Sequence, residues 1–298
     1  MGAVRAVVMH ETGGPEVLRL EEVPDPEPGP GEVLVHVEAA GVNHYDVNQR
    51  ARDASRFPAI PGRDGAGTRA DTGGRVLITG ARGCYADLVA VPEERAWAIP
   101  DSLSAATAAA IGVPYRTAWW AIVELAGLAE GARLLVQAAS SATGQASVDI
   151  GRALGATVFA TASTGKLDRV AALGAEAFAY DDPRVGGLEA DVVFDPVGAE
   201  TFATSVAALA RGGRLVTPGA VGDPTVSFDV WNLVDRQARI IGIGSAPAAR
   251  ATLERLIALA GDRRLRPVID RELPLEQAAE AHRLIEAREV FGKVILRP

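Results

Sequence analysis

From residue 133 onward short apolar runs recur every 15 to 26 residues, at 133–136, 157–160, 177–179, 192–195, 214–218 and 240–243. Helical segments lie between them, around 145–154, 165–173, 200–210 and 229–236. Strands alternating with helices of about ten to fifteen residues predict an α/β unit with a parallel, doubly wound sheet. The first hundred residues keep a different rhythm. Apolar or alternating runs at 4–9, 17–22, 33–38, 76–79 and 88–91 are broken by Thr12-Gly13-Gly14-Pro15 and by Pro24-Asp25-Pro26-Glu27-Pro28-Gly29-Pro30-Gly31. These predict a small, partly open β-barrel domain. Ser102 or Ser104 is a candidate cap for a helical stretch beginning at 105–111, and a long helix over about 115–128 leads into the first parallel strand. A helix at 248–259, a strand at 266–273, a helix at 276–287 and a strand at 293–296 follow, and this tail is expected to pack back on the first domain. The predicted division is residues 1–115 with 261–298 as one domain and 116–260 as the other.

Composition narrows the function classes. A length of 298 residues suits two domains, and the 30 basic against 38 acidic residues give a net charge of −8. That balance disfavours nucleic acid or an anionic membrane as the main partner. The single cysteine, Cys84, excludes a disulfide framework and a cysteine-rich zinc knuckle. No apolar run reaches the roughly 18 residues of a spanning helix, and no signal peptide is evident, so a cytoplasmic protein is expected.

The most informative run is Leu134-Leu135-Val136-Gln137-Ala138-Ala139-Ser140-Ser141-Ala142-Thr143-Gly144-Gln145, an apolar strand passing through small residues into a helix. In such a turn, backbone N–H groups and a helix N-terminus meet a pyrophosphate. Of the glycines usual there only Gly144 remains, with Ala138 and Ser141 in place of two others. Hydroxyls of Ser140, Ser141 and Thr143 are candidate phosphate partners, with Ala142 between them. A turn so altered also suits a sheet that no longer holds a cofactor. The next strand ends in Ala160-Thr161-Ala162-Ser163-Thr164-Gly165-Lys166, with no acid for the ribose hydroxyls. Ser163 and Lys166 suit an additional 2′-phosphate, so NADP(H) is expected over NAD. Lys166 equally suits a solvated helix face with Asp168 and Arg169. Tyr180, after a further strand, is a candidate to stack near the adenosine. Strand ends at Pro196-Val197, Gly219 and Gly242-Ile243-Gly244-Ser245 lie where ligands of open α/β sheets collect, adding Pro196, Val197, Gly219, Gly242, Gly244 and Ser245 to the cofactor set.

Several motifs, in order along almost the whole chain, carry a family resemblance. They are Gly41-Val42-Asn43-His44-Tyr45-Asp46 with Arg50, Phe57-Pro58-Ala59-Ile60-Pro61-Gly62-Arg63-Asp64-Gly65-Ala66-Gly67, Tyr115-Arg116-Thr117-Ala118-Trp119, residues 212–219 and Phe291-Gly292-Lys293-Val294-Ile295-Leu296. The chain resembles the zinc-free medium-chain dehydrogenase/reductases, in the quinone oxidoreductase (ζ-crystallin-like) and enoyl reductase branch. The resemblance implies a GroES-like barrel domain beside a Rossmann-type NADP-binding domain, Thr117 among the cofactor contacts, and reduction of a quinone or α,β-unsaturated carbonyl. It also implies a possible homodimer, with the strand near Ile240 as pairing edge. A zinc-dependent relative would show Cys near 43 and His at 63; Asn43 and Arg63 stand there, and the four-cysteine lobe is missing, so no metal is expected.

Hydride addition to the β-carbon of an enone leaves an enolate that needs a hydrogen-bond donor and a proton. The resemblance places Asn43 and Asp46 on the substrate side, which makes His44 and Tyr45 the candidate donors. Arg50 and Arg63 suit holding an acidic substrate or anchoring Asp46 and Asp64, and a structural ion pair is the expected reading for both. Cys84, with no basic neighbour in sequence, is expected to be buried and inert. Two other readings stay open at this stage. One is a non-redox isomerase, lyase or cyclase of a carbonyl compound, with the cofactor lost or structural; the other is a catalytically silent binding protein.

Overall fold

The elements, in chain order, are β1 (Ala3–Val8), β2 (Arg19–Pro24), β3 (Glu32–Val42), α1 (His44–Arg52), β4 (Asp64–Arg69), β5 (Arg75–Thr79), β6 (Leu88–Pro92), β7 (Ala96–Ala98) and α2 (Ala105–Ala118). There follow β8 (Arg133–Val136), α3 (Ala142–Ala153), β9 (Thr157–Ala162), α4 (Leu167–Ala171), β10 (Glu176–Ala179), β11 (Ala190–Phe194), α5 (Ala199–Ala207), β12 (Leu209–Thr217), α6 (Val230–Arg236) and β13 (Arg239–Gly242). The last are α7 (Arg250–Gly261), β14 (Ile269–Pro274), α8 (Ala278–Glu286) and β15 (Lys293–Arg297). This is a computed structural model, and it describes residues 2–52 and 57–298. The chain divides into two compact units: Met1–Pro114 with Ala248–Arg263 and Pro267–Pro298, and Tyr115–Pro247 with Arg264–Arg266.

In the first unit β1 and β2 form an antiparallel pair, and a seven-stranded sheet runs β14-β15-β3-β4-β5-β7 with β6 also on β3. The long β3 is its spine, pairing with β6 near its start and with β15 near its end. Alternate β3 residues Val33, Val35 and Val37 enter a core with Val76, Ile78, Tyr85, Val89, Val294 and Leu296. Two elements here carry no apolar pattern and were not expected from the sequence. One is α1, whose buried residues are Asp46, Val47 and Arg50. The other is β4, Asp-Gly-Ala-Gly-Thr-Arg, where a Cβ on Gly67 would stand 1.8 Å from the His36 carbonyl oxygen. Helix α7 falls in this unit, whereas the sequence reading ran the nucleotide-binding domain to residue 260. Its contacts explain the difference: the Arg250 guanidinium lies over the Trp97 ring, and the backbone at Gly261 passes close to Pro100.

The second unit holds a six-stranded, all-parallel sheet in the order β10-β9-β8-β11-β12-β13. Numbered within the unit this is 3-2-1-4-5-6, a doubly wound arrangement whose order reverses between β8 and β11. The strands are the predicted apolar runs, with Leu134, Leu135, Val136, Val193 and Phe194 fully buried. Before β8 the helix α2 kinks at Gly112 (φ −22°, ψ −114°) ahead of Pro114, and residues Trp119–Leu125 continue as a wide π-helical turn. Proline cannot donate to the preceding turn, so a break at that point is the expected outcome.

Candidate functional site

At the switch point of the second unit, β8 ends in Gln137 and the turn begins at Ala138, held at φ +52°. Alanine rarely adopts this left-handed region, so the turn keeps a glycine-type path without the glycine. Gly144 is needed in turn: a Cβ there would stand 2.3 Å from the Ala138 carbonyl oxygen. Ser141 is the N-cap of α3, its Oγ accepting from the Gly144 N–H at 3.0 Å. The cap starts the helix at 142, three residues before the expected start, and places Ala142 and Thr143 in its first turn. Among the described residues the N–H groups of Ala142 and Thr143 have no acceptor, and Ser140, Ser141 and Thr143 retain solvent access. Ser141 can accept from Gly144 and still donate its own hydrogen.

Neighbouring strand ends complete this side. Pro196 and Val197 follow β11, Gly219 follows β12, and Gly242, Gly244 and Ser245 end β13. A Cβ on any of these three glycines would meet nothing within 4 Å. Ser163 and Lys166 lie just past β9, Tyr180 lies exposed past β10, and Thr117 sits partly buried in α2. The turn after β11 is fixed by a buried network that the sequence reading missed. Asp195 accepts from the Val197 N–H (2.9 Å), Thr201 Oγ1 (2.8 Å) and Ser205 Oγ (2.7 Å), and Ser205 accepts from Gln137 Nε2 (2.9 Å). Thr161 Oγ1 donates to Gln137 Oε1. Burial raises the Asp195 pKa, and these donors hold it down against that trend.

In the first unit Asn43 precedes α1, and its N–H donates to Asp46 Oδ2 at 2.9 Å, one half of a capping box. The spacing Asn-x-x-Asp carries that signal in the sequence. The Asn43 side chain turns away from solvent: Oδ1 accepts from Lys293 Nζ at 2.5 Å, and Nδ2 donates to Asp64 Oδ2 at 2.9 Å and to the Gly41 carbonyl at 3.2 Å. Asp64 also accepts from Thr79 Oγ1 at 2.9 Å and from the Val113 N–H at 2.9 and 3.0 Å, and Lys293 Nζ lies 3.3 Å from it. Gly112 makes this approach possible, because a Cβ there would fall 2.2 Å from an Asp64 oxygen. The kink in α2 thus releases an N–H that Asp64 takes up.

Beside this lies a second buried chain. Arg50 Nε donates to His282 Nδ1 at 3.2 Å, which leaves the imidazole proton on Nε2, 3.3 Å from Tyr85 Oη. Tyr85 Oη donates to Asp46 Oδ2 at 3.3 Å. Arg50 also pairs with Glu286 and the Gly13 carbonyl. Burial, then the Arg50 charge, lowers the His282 pKa to about 3, so the ring is neutral. Burial pushes Asp46 up to about 6, and its Oδ1 has no hydrogen-bond partner among the described residues. Arg50 makes the expected structural ion pair, with Glu286 rather than Asp46, whereas Arg63 has no carboxylate partner among the described residues and stacks its guanidinium 4.5 Å from the Tyr45 ring centroid. The cation beside Asp64 is Lys293 instead. Cys84 is buried and its thiol pKa is raised, which removes it from nucleophilic chemistry.

His44 and Tyr45 are the side chains of this turn that reach solvent. Partial desolvation lowers the His44 pKa, Glu286 pulls it up, and Arg288 and Arg52 lower it further. Among the described residues no three His, Cys, Asp or Glu side chains gather in a way that could hold a metal ion, and no helix is long and apolar enough to cross a membrane.

Residues 29–101 match the family model described as alcohol dehydrogenase GroES-like domain, and residues 166–296 the one described as zinc-binding dehydrogenase. The chain is 31% identical to the quinone oxidoreductase of Mus musculus, over 98% of this chain and 97% of that protein. The chain belongs to the medium-chain dehydrogenase/reductase family. Among solved structures, an NAD-dependent alcohol dehydrogenase superposes with a TM-score of 0.92 at 36% identity, covering 99% of both chains. A mycobacterial protein solved in complex with NADPH does so with a TM-score of 0.88 at 28% identity, covering 99% of this chain and 100% of that one. The two units are accordingly the GroES-like and Rossmann-type halves of this family. These relatives support an oxidoreductase that uses a nicotinamide cofactor on a small-molecule substrate.

Proposed function

We propose that the chain is an NADPH-dependent, zinc-independent reductase of quinones or α,β-unsaturated carbonyls. The observation that carries this reading is the turn after β8, whose glycine-type path survives at Ala138 and whose free Ala142 and Thr143 N–H groups head a twelve-residue helix. That cradle fits a pyrophosphate, and the open Cβ positions of Gly219, Gly242 and Gly244 leave room along the strand ends. The likeness to a mycobacterial protein solved with NADPH supports this reading over the cofactor-free alternatives. Ser163 and Lys166, with no carboxylate at the end of β9, support NADPH over NADH, although one similar structure is that of an NAD-dependent enzyme. Zinc independence rests on the donor set: Asn43, Arg63 and the Lys293 ammonium occupy the region where Cys and His ligands would be needed.

A bound nicotinamide would supply the hydride. The chain's own residues would then orient the carbonyl and handle its proton. Asn43 has both amide hydrogens and its oxygen engaged, so its part, with Asp46, is to position the start of α1. His44 and Tyr45 are left as donors to a developing enolate or quinol oxygen. A neutral His44 imidazole, favoured by its lowered pKa, donates an N–H without introducing a charge. We read β13, the edge of the parallel sheet, as a self-pairing strand, which predicts a dimer by light scattering; a monomer at micromolar concentration would refute it.

The test is a titration with NADPH and NADH followed by nicotinamide fluorescence, then turnover with quinones and enones. Tighter binding of NADPH is expected, and Lys166→Ala should weaken NADPH more than NADH. Equal weakening of both would sink the 2′-phosphate assignment, and no binding of either would sink the reductase.

A further inference from the structure

Arg63 differs from the ion-paired arginines of the first unit, Arg5, Arg50, Arg69 and Arg297. It begins the turn into β4, where successive side chains point to opposite faces. Asp64 goes inward to Lys293, Asn43, Thr79 and the Val113 N–H, so the carboxylate next in sequence does nothing for Arg63. The Arg63 guanidinium instead lies 4.5 Å from the ring centroid of Tyr45, itself 46% exposed, and among the described residues its one hydrogen bond is a long 3.5 Å contact from Nη2 to the Gly80 carbonyl. Among the described residues no carboxylate lies within ion-pair reach of it. Arg50, Arg69, Arg5 and Arg297 all have a carboxylate partner. The segment is also well braced: the Gly80 N–H holds the Arg63 carbonyl at 2.9 Å, and Gly62, at φ +100°, packs against Tyr85 so closely that a Cβ would come within 2.5 Å of its ring.

A half-buried guanidinium, stacked, braced and with no counter-ion among the described residues, in a chain of net charge −8, has the chemistry of an anion subsite. Arginine offers five N–H donors in a flat fork that matches a carboxylate, sulfonate or phosphate, and the ring beneath restricts its motion. We propose that Arg63, supported by Tyr45, sets substrate specificity by binding an anionic substituent on the carbonyl or quinone substrate. This rests on the reading of residues 43–46 as the substrate side of a reductase. Tyr45 then has a supporting role in the subsite, and His44 is the stronger candidate proton donor. His44 faces Glu286, Arg288 and Arg52, a different set of charges from those at Arg63.

The experiment compares 1,2-naphthoquinone with 1,2-naphthoquinone-4-sulfonate in NADPH oxidation by the wild type, Arg63→Gln and Arg63→Lys. A lost charge-assisted hydrogen bond corresponds to about ten-fold in affinity or more, so Arg63→Gln should raise KM for the sulfonate about ten-fold more than KM for the neutral quinone. Arg63→Lys should recover part of that ratio, and added salt should erode it in the wild type. Equal changes for both quinones in Arg63→Gln would overturn the proposal. If the wild type reduces neither, the reductase reading fails by itself. Calorimetric titration with the sulfonate then decides the subsite: binding lost in Arg63→Gln upholds it, and no wild-type binding, or binding unchanged by the substitution, overturns it.

Discussion

The buried pair of Lys293 and Asp64 gives the sharpest energetic expectation. Lys293 is 2% exposed and Asp64 0%, with Nζ and Oδ2 3.3 Å apart. At an effective dielectric of about 20, two unit charges at this distance attract by about 5 kcal/mol. Lys293→Met keeps the stem volume, removes that attraction and strands Asn43 Oδ1 as well. Against this, the cost of burying the ammonium disappears, and Asp64 keeps its donors from Asn43, Thr79 and Val113. Breaking a buried pair by removing one partner commonly costs about 3–5 kcal/mol, and the retained donors place this case near about 3 kcal/mol. Urea unfolding followed by tryptophan fluorescence reads it, because Trp97 is buried within the same unit. A loss below about 1 kcal/mol would refute the charge argument.

Asp46 and Ala138 give two more expectations. The Asp46 carboxyl holds its proton to about 6 in the folded chain against an ordinary aspartate value of 3.8, so its penalty builds as pH rises between those values and is constant above them. Asp46→Asn should therefore gain thermal stability relative to the wild type on going from pH 4 to pH 7, measured by calorimetry; a difference that stays constant over that range would count against it. Ala138→Gly relieves a left-handed alanine and should stabilise the Rossmann-type unit by roughly 1 kcal/mol, whereas Ser141→Ala removes the α3 cap and should cost about as much. Denaturation midpoints moving in the same direction for both would contradict the turn geometry.

Much of the Rossmann-type unit is legible in its sequence because its central parallel strands are buried on both faces and read as unbroken apolar runs, as Leu134-Leu135-Val136 and Val192-Val193-Phe194 do. The GroES-like unit is harder to read. The buried face of α1 is Asp46, Val47 and Arg50, which has no apolar periodicity, and β4 is built from Gly and Ala because neighbouring backbone leaves no room for larger side chains. Asn43, His44, Tyr45 and Asp46 were found as a group through the family motif, but the division of labour among them depends on distant partners. Lys293 and Asp64 lie 229 residues apart, as Arg50 and His282 lie 232 apart, and no local spacing encodes either contact. The αL path of Ala138 was likewise invisible, since alanine carries no sequence signal for it.

The pairing of β15 with β3 has a consequence for how the chain is made. Unit one is assembled from Met1–Pro114, Ala248–Arg263 and Pro267–Pro298, while Tyr115–Pro247 supplies nearly all of unit two. During synthesis the edge of β3 formed by Ala40, Gly41 and Val42 has no neighbour until Val294, Ile295 and Leu296 emerge. Asp64 likewise waits for its ammonium until Lys293 leaves the ribosome. The middle of this polypeptide can therefore mature before its beginning, against the usual N-terminal-first order. For most of translation the nascent barrel presents an unpaired strand edge and an uncompensated acid, the condition in which a growing chain depends most on chaperones.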